Sequence, residues 1–264
     1  MDDRLYELAI IGGGNMGAAL LGGLVDSGVF AEAVLCVVEV DDARRAQLVT
    51  LFPTVTVEAA VPACTGAVLA VKPGGVPGAA AAAVAAGARR VLSIAAGVRL
   101  ATIEAAAGPD VAVVRAMPNT PALVRLGACA IAAGAAASRD DVAWARAILE
   151  AVGTVDEVDE AALDAFTGVA GSGPAYVFLV AEALTDAAVA EGLDRPIAER
   201  VVRQLLLGSA TLLDRDGDPT RLREMVTSPN GTTAAGLAAL DEHDFRGVLA
   251  AAVRAATARS RELG

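Results

Sequence analysis

Hydrophobic positions in the first half of the chain fall in short runs, separated by polar turns and by stretches with helical spacing. "LYELAIIG" reads as a buried strand, and residues 15–27 read as a helix. "VLCVVEV" reads as a second strand, with a helix over 42–51. Further short strands are predicted at "TVTV", "GAVLAVK", "RRVLSIA", "VAVVRAM" and "ACAIAAG", with Ala-rich helices between several of them. Strands alternating with helices predict a mostly parallel sheet covered on both faces.

The pattern changes near "VDEVDEAAL". Beyond it strand-like runs stop, and helices are predicted over roughly 174–192, 196–214, 219–227, 232–241 and 245–262. Two domains are therefore expected, residues 1–160 and residues 161–264. "PAYVFLVAEALTDAAVAEGL" and "RVVRQLLLGSATLL" carry apolar residues on more faces than a small monomer can bury, which predicts a subunit interface.

Composition narrows the partners. The 264 residues are 55% hydrophobic but only 3% aromatic, with a net charge of -11. An acidic balance argues against a nucleic-acid partner, since phosphate binding needs a basic surface. No stretch holds the roughly 18 uninterrupted apolar residues of a membrane helix. The opening "MDDRLYELAI" runs straight into a strand pattern without a visible secretory signal, so a cytoplasmic location and no membrane are expected. Cys36, Cys64 and Cys129 are widely spaced and lie in or near apolar runs, which predicts buried reduced thiols. His243, the single histidine, has no ligand-like neighbour but carboxylates, and no metal site is expected.

Six stretches carry candidate chemistry. In "IIGGGNMGAALLGGL", Gly12, Gly14 and Gly17 form G-x-G-x-x-G directly after a strand and at the opening of a helix. The first glycine permits the tight turn, the second lets backbone approach a pyrophosphate, and the third allows close helix–strand packing. Glu39 closes the second strand, where an acid accepts hydrogen bonds from the adenosine ribose. Glu39 opposes a 2′-phosphate and favours NADH, whereas Arg44 and Arg45 are close enough to bind that phosphate. Both cofactors are expected to work, with NADPH preferred. Lys72 is the only lysine, and Asn15, Asn119 and Asn230 are the only asparagines; all four lie in turn-like stretches. "AVKP" (Ala70, Val71, Lys72, Pro73) and "IAAG" (Ala95, Ala96, Gly97) end strands in small residues that admit a flat nicotinamide, and Asn15 and Met16 open the first helix. "RAMPNTPALV" sets Asn119 in a rigid elbow between two prolines, and "GVAGSGPAYVF" places Gly168, Gly171 and Gly173 ahead of a long helix.

The last stretch is "VTSPNGTTAAGL". Pro229 and Asn230–Gly231 form a turn, and Thr232 and Thr233 begin a helix whose free amides suit a small anion. Ser228, Gly231, Thr232 and Thr233 are the candidate substrate contacts: three backbone amides for a small anion, with Ser228 closing the turn.

Together, "IIGGGNMG", "AVKP", "IAAGV", "RAMPNTPALV", "GSGPAYVF" and "SPNGTT…LDEHDFR" resemble pyrroline-5-carboxylate reductases over essentially the whole chain. The resemblance implies an α/β fold: an N-terminal Rossmann-type doubly wound parallel sheet followed by an all-helical dimerisation domain. It implies NAD(P)H-dependent reduction of 1-pyrroline-5-carboxylate to L-proline, with the Thr233 hydroxyl reaching the ring nitrogen. It also implies a homo-oligomer built from dimers, up to a decameric ring. Two positions depart from the family pattern: Asn230 stands where Gly is usual, and Ala170 where Ser is frequent. A hydroxyacid dehydrogenase shares the three glycines but carries a lysine soon after them, where this chain has Val177. Alcohol oxidation without a general base is hard, so imine reduction is favoured. A non-catalytic NAD(P) sensor is the reading from a different class.

Overall fold

The structure, a computed structural model, describes residues 5–264. The acidic opening over residues 1–4 lies outside the described residues. The chain divides into two compact units, one reaching Ser172 and including Arg254–Gly264, the other spanning Gly173–Val253.

The first unit is built on strands β1 (Tyr6–Ile11), β2 (Leu35–Val38), β3 (Thr56–Glu58), β4 (Cys64–Leu69), β5 (Arg90–Ser93), β6 (Ala112–Met117), β7 (Gly127–Ala133) and β8 (Gly153–Glu157). They form one sheet in the order β3-β2-β1-β4-β5-β6-β7-β8. All neighbouring pairs are parallel except β6 with β7. The chain order reverses between β1 and β4, the switch point at which doubly wound sheets bind ligands beyond the carboxyl ends of the strands.

Alternation along β1 sorts its side chains onto two faces. Ala9 and Ile11 join α3 (Val76–Ala85) and α4 (Leu100–Ala107) in one apolar layer. Leu8 and Ile10 join α1 (Asn15–Ser27), α2 (Asp42–Leu51) and α5 (Arg139–Glu150) in the other. Helices α1 and α2 have the bounds that the sequence pattern predicts. β8 is the strand the pattern does not reveal. It lies at the sheet edge, buries only Val155, and exposes Thr154, Asp156 and Glu157, so its acidic stretch reads as a boundary.

Past β8 the chain enters helix through a 3-10 turn (Glu160–Ala162), α6 (Leu163–Phe166) and a π turn (Thr167–Gly171). Gly168 and Gly171 therefore sit within helix rather than in an open loop. A Cβ at Gly171 would come 2.9 Å from the Met117 methyl at the end of β6. The second unit holds α7 (Gly173–Ala190), α8 (Arg195–Asp216), α9 (Pro219–Met225) and α10 (Thr232–Glu242). It also holds the first part of α11 (Phe245–Leu263). No residue of α7, α9 or α10 is buried, and α8 buries only Ala198 and Val202.

All three thiols are free and buried within the first unit. Burial raises Cys36 from an ordinary 9.0 to about 12, with Glu58 and Cys64 adding to it. Burial likewise raises Cys64 to about 11 and Cys129 to about 12. Unfolding lowers these values, so the thiols add no pH dependence below pH 9, where both states stay protonated. Above pH 9 the unfolded chain ionises first and native stability falls as pH rises. Ellman's reagent at pH 8 should label none of the thiols in native protein and all three after unfolding in urea. Rapid labelling of native protein would contradict this burial.

Candidate active site

The glycine turn after β1 is shaped by two close approaches. Gly12 has φ +109°, and a Cβ there would lie 2.5 Å from the Ala70 carbonyl oxygen at the end of β4. A Cβ at Gly17 would run into the Gly12 carbonyl itself. These contacts seat the first turn of α1 over the end of β1. Gly14, the N-cap of α1, is exposed and would meet no atom within 4 Å if it carried a Cβ. No side chain caps the helix, so the amides of Asn15, Met16 and Gly17 open onto that space. A bare helix N-terminus beside a residue without a side chain fits a pyrophosphate, with the dipole favouring its charge.

Glu39, just past β2, accepts hydrogen bonds from the amides of Gly13 (3.0 Å) and Asp41 (3.0 Å). Arg44 donates from Nε to the Gly13 carbonyl (2.7 Å), and Arg45 donates to the Glu39 carbonyl (2.8 Å). Asp41 caps α2 by accepting from the Arg44 amide at 2.7 Å, while Asp42 pairs with Arg45. One acid and two guanidinium groups are thus gathered at the corner between the glycine turn and β2.

The remaining nucleotide candidates line the carboxyl ends of β4, β5 and β6. Ala70 and Val71 are half-buried, Lys72 and Pro73 are exposed, and Lys72 leads into a 3-10 turn. Ala95 is buried, Ala96 is exposed, and Gly97 takes φ +75°. Asn119 is largely spent inside the protein. Its Oδ1 accepts from the Ala128 amide (2.9 Å), and its Nδ2 donates to the Ala170 carbonyl (3.1 Å). It ties β7 and the π turn to the end of β6.

The "SPNGTT" turn lies in the second unit. Ser228 and Gly231 close it through the bond from the Gly231 amide to the Ser228 carbonyl (3.1 Å). Asn230 takes φ +60°, the left-handed value that makes Gly usual at that position. The Ser228 hydroxyl occupies the place of a Cβ on Gly231, so a side chain at that position would have to displace the hydroxyl. The Gly231 amide, a sequence candidate for the substrate, is therefore already committed to the turn. The free amides at the uncapped start of α10 are those of Thr232, Thr233 and Ala234; Ala234 is the donor that sequence reasoning omitted. Its position one residue further into the helix is the only signal for it.

A doubly wound sheet with a bare, glycine-lined helix N-terminus at its switch point defines a dinucleotide-dependent oxidoreductase of the Rossmann class. Residues 7–97 match the model described as "NADP oxidoreductase coenzyme F420-dependent", and residues 160–263 match "Pyrroline-5-carboxylate reductase dimerisation". The pyrroline-5-carboxylate reductase of Synechocystis is 45% identical, over 98% of each chain. Among solved structures, the Coxiella burnetii pyrroline-5-carboxylate reductase shares 32% identity at a TM-score of 0.90, covering 99% of both chains. The Plasmodium falciparum enzyme, solved with NADP bound, shares 28% identity at a TM-score of 0.85, covering 98% of both chains. The chain belongs to the pyrroline-5-carboxylate reductase family.

The glycine contacts yield a contrast between two alanine variants. Gly14→Ala adds a methyl group in open space and should keep unfolding stability within about 1 kcal/mol, the scale of an N-cap change. The same methyl stands where the pyrophosphate approaches, so NADPH affinity measured by nicotinamide fluorescence should fall roughly tenfold or more. Gly17→Ala forces the helix off the Gly12 carbonyl and should cost about 1–3 kcal/mol in urea unfolding. Equal NADPH affinity for wild type and Gly14→Ala would remove the pyrophosphate from this position.

Proposed function

We propose that this protein reduces the C=N bond of 1-pyrroline-5-carboxylate to give L-proline, the last step of proline biosynthesis, with NADPH as the preferred reductant. When bound, the nicotinamide supplies the hydride for the ring carbon. The chain's own residues bind, orient and protonate. Gly12, Gly14, Asn15, Met16 and Gly17 hold the pyrophosphate. Ala70 to Pro73 and Ala95 to Gly97 present backbone to the nicotinamide half, with Asn119 fixing the turn beyond β6. Glu39 faces the adenosine ribose. The convergence of Arg44 and Arg45 on the same corner supports a 2′-phosphate and hence NADPH over NADH.

The observation that carries the substrate reading is the uncapped start of α10 behind a rigid Ser228–Gly231 turn. In this reading residues 161–264 serve substrate binding and assembly, and residues 1–160 supply the direct contacts to the dinucleotide. The amides of Thr232, Thr233 and Ala234 take the ring carboxylate, and the Thr233 hydroxyl delivers a proton to the ring nitrogen. A cyclic imine is basic and easily protonated, so positioning supplies most of the rate. That suits a chain with one histidine and no lysine beyond residue 72. The closing experiment is turnover: NADPH should be consumed and proline released with pyrroline-5-carboxylate. Unsubstituted 1-pyrroline should react far more slowly, and Thr233→Ala should lower kcat with at most about 1–2 kcal/mol lost in stability. Equal rates on the two rings would remove the carboxylate contact.

The second unit supports assembly from dimers. Phe178 and Leu179 of α7 and Val201, Leu205 and Leu207 of α8 are half exposed or more. The helical run Glu160–Ala190 is long and apolar enough to cross a membrane on length and composition, with a mean hydropathy of 1.3. Asp164, Glu182 and Asp186 interrupt it, and the dimerisation match covers the same residues, so an interface between copies is the better reading. Free thiols accord with a cytoplasmic setting. Light scattering at micromolar concentration should give a dimer or a multiple of it, up to a decamer; an active monomer would overturn the assembly.

A further inference from the structure

The described residues contain six buried polar side chains: Ser93, Arg115, Asn119, Asp164, Thr257 and Ser260. They lie on β5, on β6 and its following turn, on α6 and on the last turns of α11. Elsewhere the core is apolar. Burying charge this way adds little stability, because desolvation offsets most of the attraction. Four of the six, Ser93, Arg115, Asp164 and Ser260, are linked to one loop, which calls for another explanation. That loop joins β5 to α4 and contains Ala95, Ala96 and Gly97.

Two acids one helical turn apart grip the far end of this loop. Glu160 accepts from the Leu100 amide (2.7 Å), the first amide of α4, and from the buried Arg115 guanidinium (2.8 Å). It caps a helix that its own N-cap residue, Arg99, leaves without a side-chain bond. Asp164, whose side chain is only 4% exposed, pairs with Arg99 at 3.1 Å. Its other oxygen accepts from the Ser260 hydroxyl of α11 at 2.7 Å. At the near end, Gly97 adopts φ +75°, and a Cβ there would sit 3.2 Å from the Leu263 Cβ of the same helix. Ser93, which opens the loop, pairs in register with Arg115. The backbone from 94 to 100 is thus held through Arg99 and Leu100 by groups that need not touch any ligand.

We propose that Asp164, with Ser260 and Glu160, is a positioning residue that fixes the conformation of the Ala95–Gly97 backbone for the nicotinamide half of the cofactor. This rests on the dinucleotide reading above. The clamp acts on the nicotinamide half of the cofactor alone. Among the described residues, the glycine turn and the Glu39–Arg44–Arg45 corner, which hold the adenosine half, share no hydrogen bond or ion pair with it.

Asp164→Asn keeps an acceptor for Ser260 and removes the charge facing Arg99; Ser260→Ala is a milder variant should the first fold poorly. Two ligands separate the halves of the site: NADPH, and 2′-phospho-ADP-ribose, which lacks the nicotinamide. Titration of each variant should show the NADPH Kd raised roughly tenfold, the range of coupling within one hydrogen-bonded network. The Kd of 2′-phospho-ADP-ribose should stay within about twofold, as expected for a distant, independent site. The kcat should fall while KM for the imine changes little. A purely structural role predicts a lower Tm with both ligands affected alike, and that result, or no change for either ligand, overturns the proposal. A wild-type chain that binds neither ligand overturns the dinucleotide reading and this clamp with it.

Discussion

The approach of Gly17 to the Gly12 carbonyl is the contact on which the nucleotide half of the molecule depends. Any side chain at position 17 would lift α1 away from β1 and move the helix N-terminus off the sheet switch point. With both glycines in place, the amides of α1 face a gap left open by Gly14, and the neighbouring ends of β4 and β5 supply bare backbone. The apolar layers on either face exist to hold this geometry. Val76, Ala80 and Ala83 pack one side of the sheet, and Leu20, Leu21 and Leu24 pack the other. Small alanines on α3 let that helix lie close, which suits a chain with few aromatic residues.

The second unit obeys the opposite constraint. An isolated helical unit must bury one face of each helix, and here α7, α9 and α10 bury no residue in the single chain. Such helices complete their core against another copy. The turn at Ser228–Gly231 is rigid for a different reason, since its own atoms fix it. The Gly231 amide, the Asn230 backbone and the Ser228 hydroxyl leave it little freedom.

Polar burial is placed where strand ends must be held, and it shows how one residue serves several elements. Asn119 joins β7 and the π turn to the end of β6 through two hydrogen bonds. Arg115 and Glu160 join β6 to the start of α4. Each tie satisfies groups that would otherwise be desolvated without partners, so the cost of burying them is offset locally.

Period and turn chemistry alone determined most of the architecture. Alternating short strands and helices specified the parallel sheet. The glycine spacing located the turn after β1, and helix limits such as 15–27 and 42–51 were legible because Gly28, Asp41 and Pro53 mark them locally. Residue types likewise marked Glu39, Arg44 and Arg45, and the left-handed position at Asn230. Tertiary structure decided what local pattern does not encode. β8 is a strand because β7 offers it an edge, not because its own sequence is hydrophobic. Whether an amide is free depends on where its neighbours fold, so Gly231 is spent in its turn while Ala234 is available. The ties from Asp164 to Arg99 and Ser260 join residues 65 and 96 positions apart, separations at which no periodicity survives and only packing brings charges together.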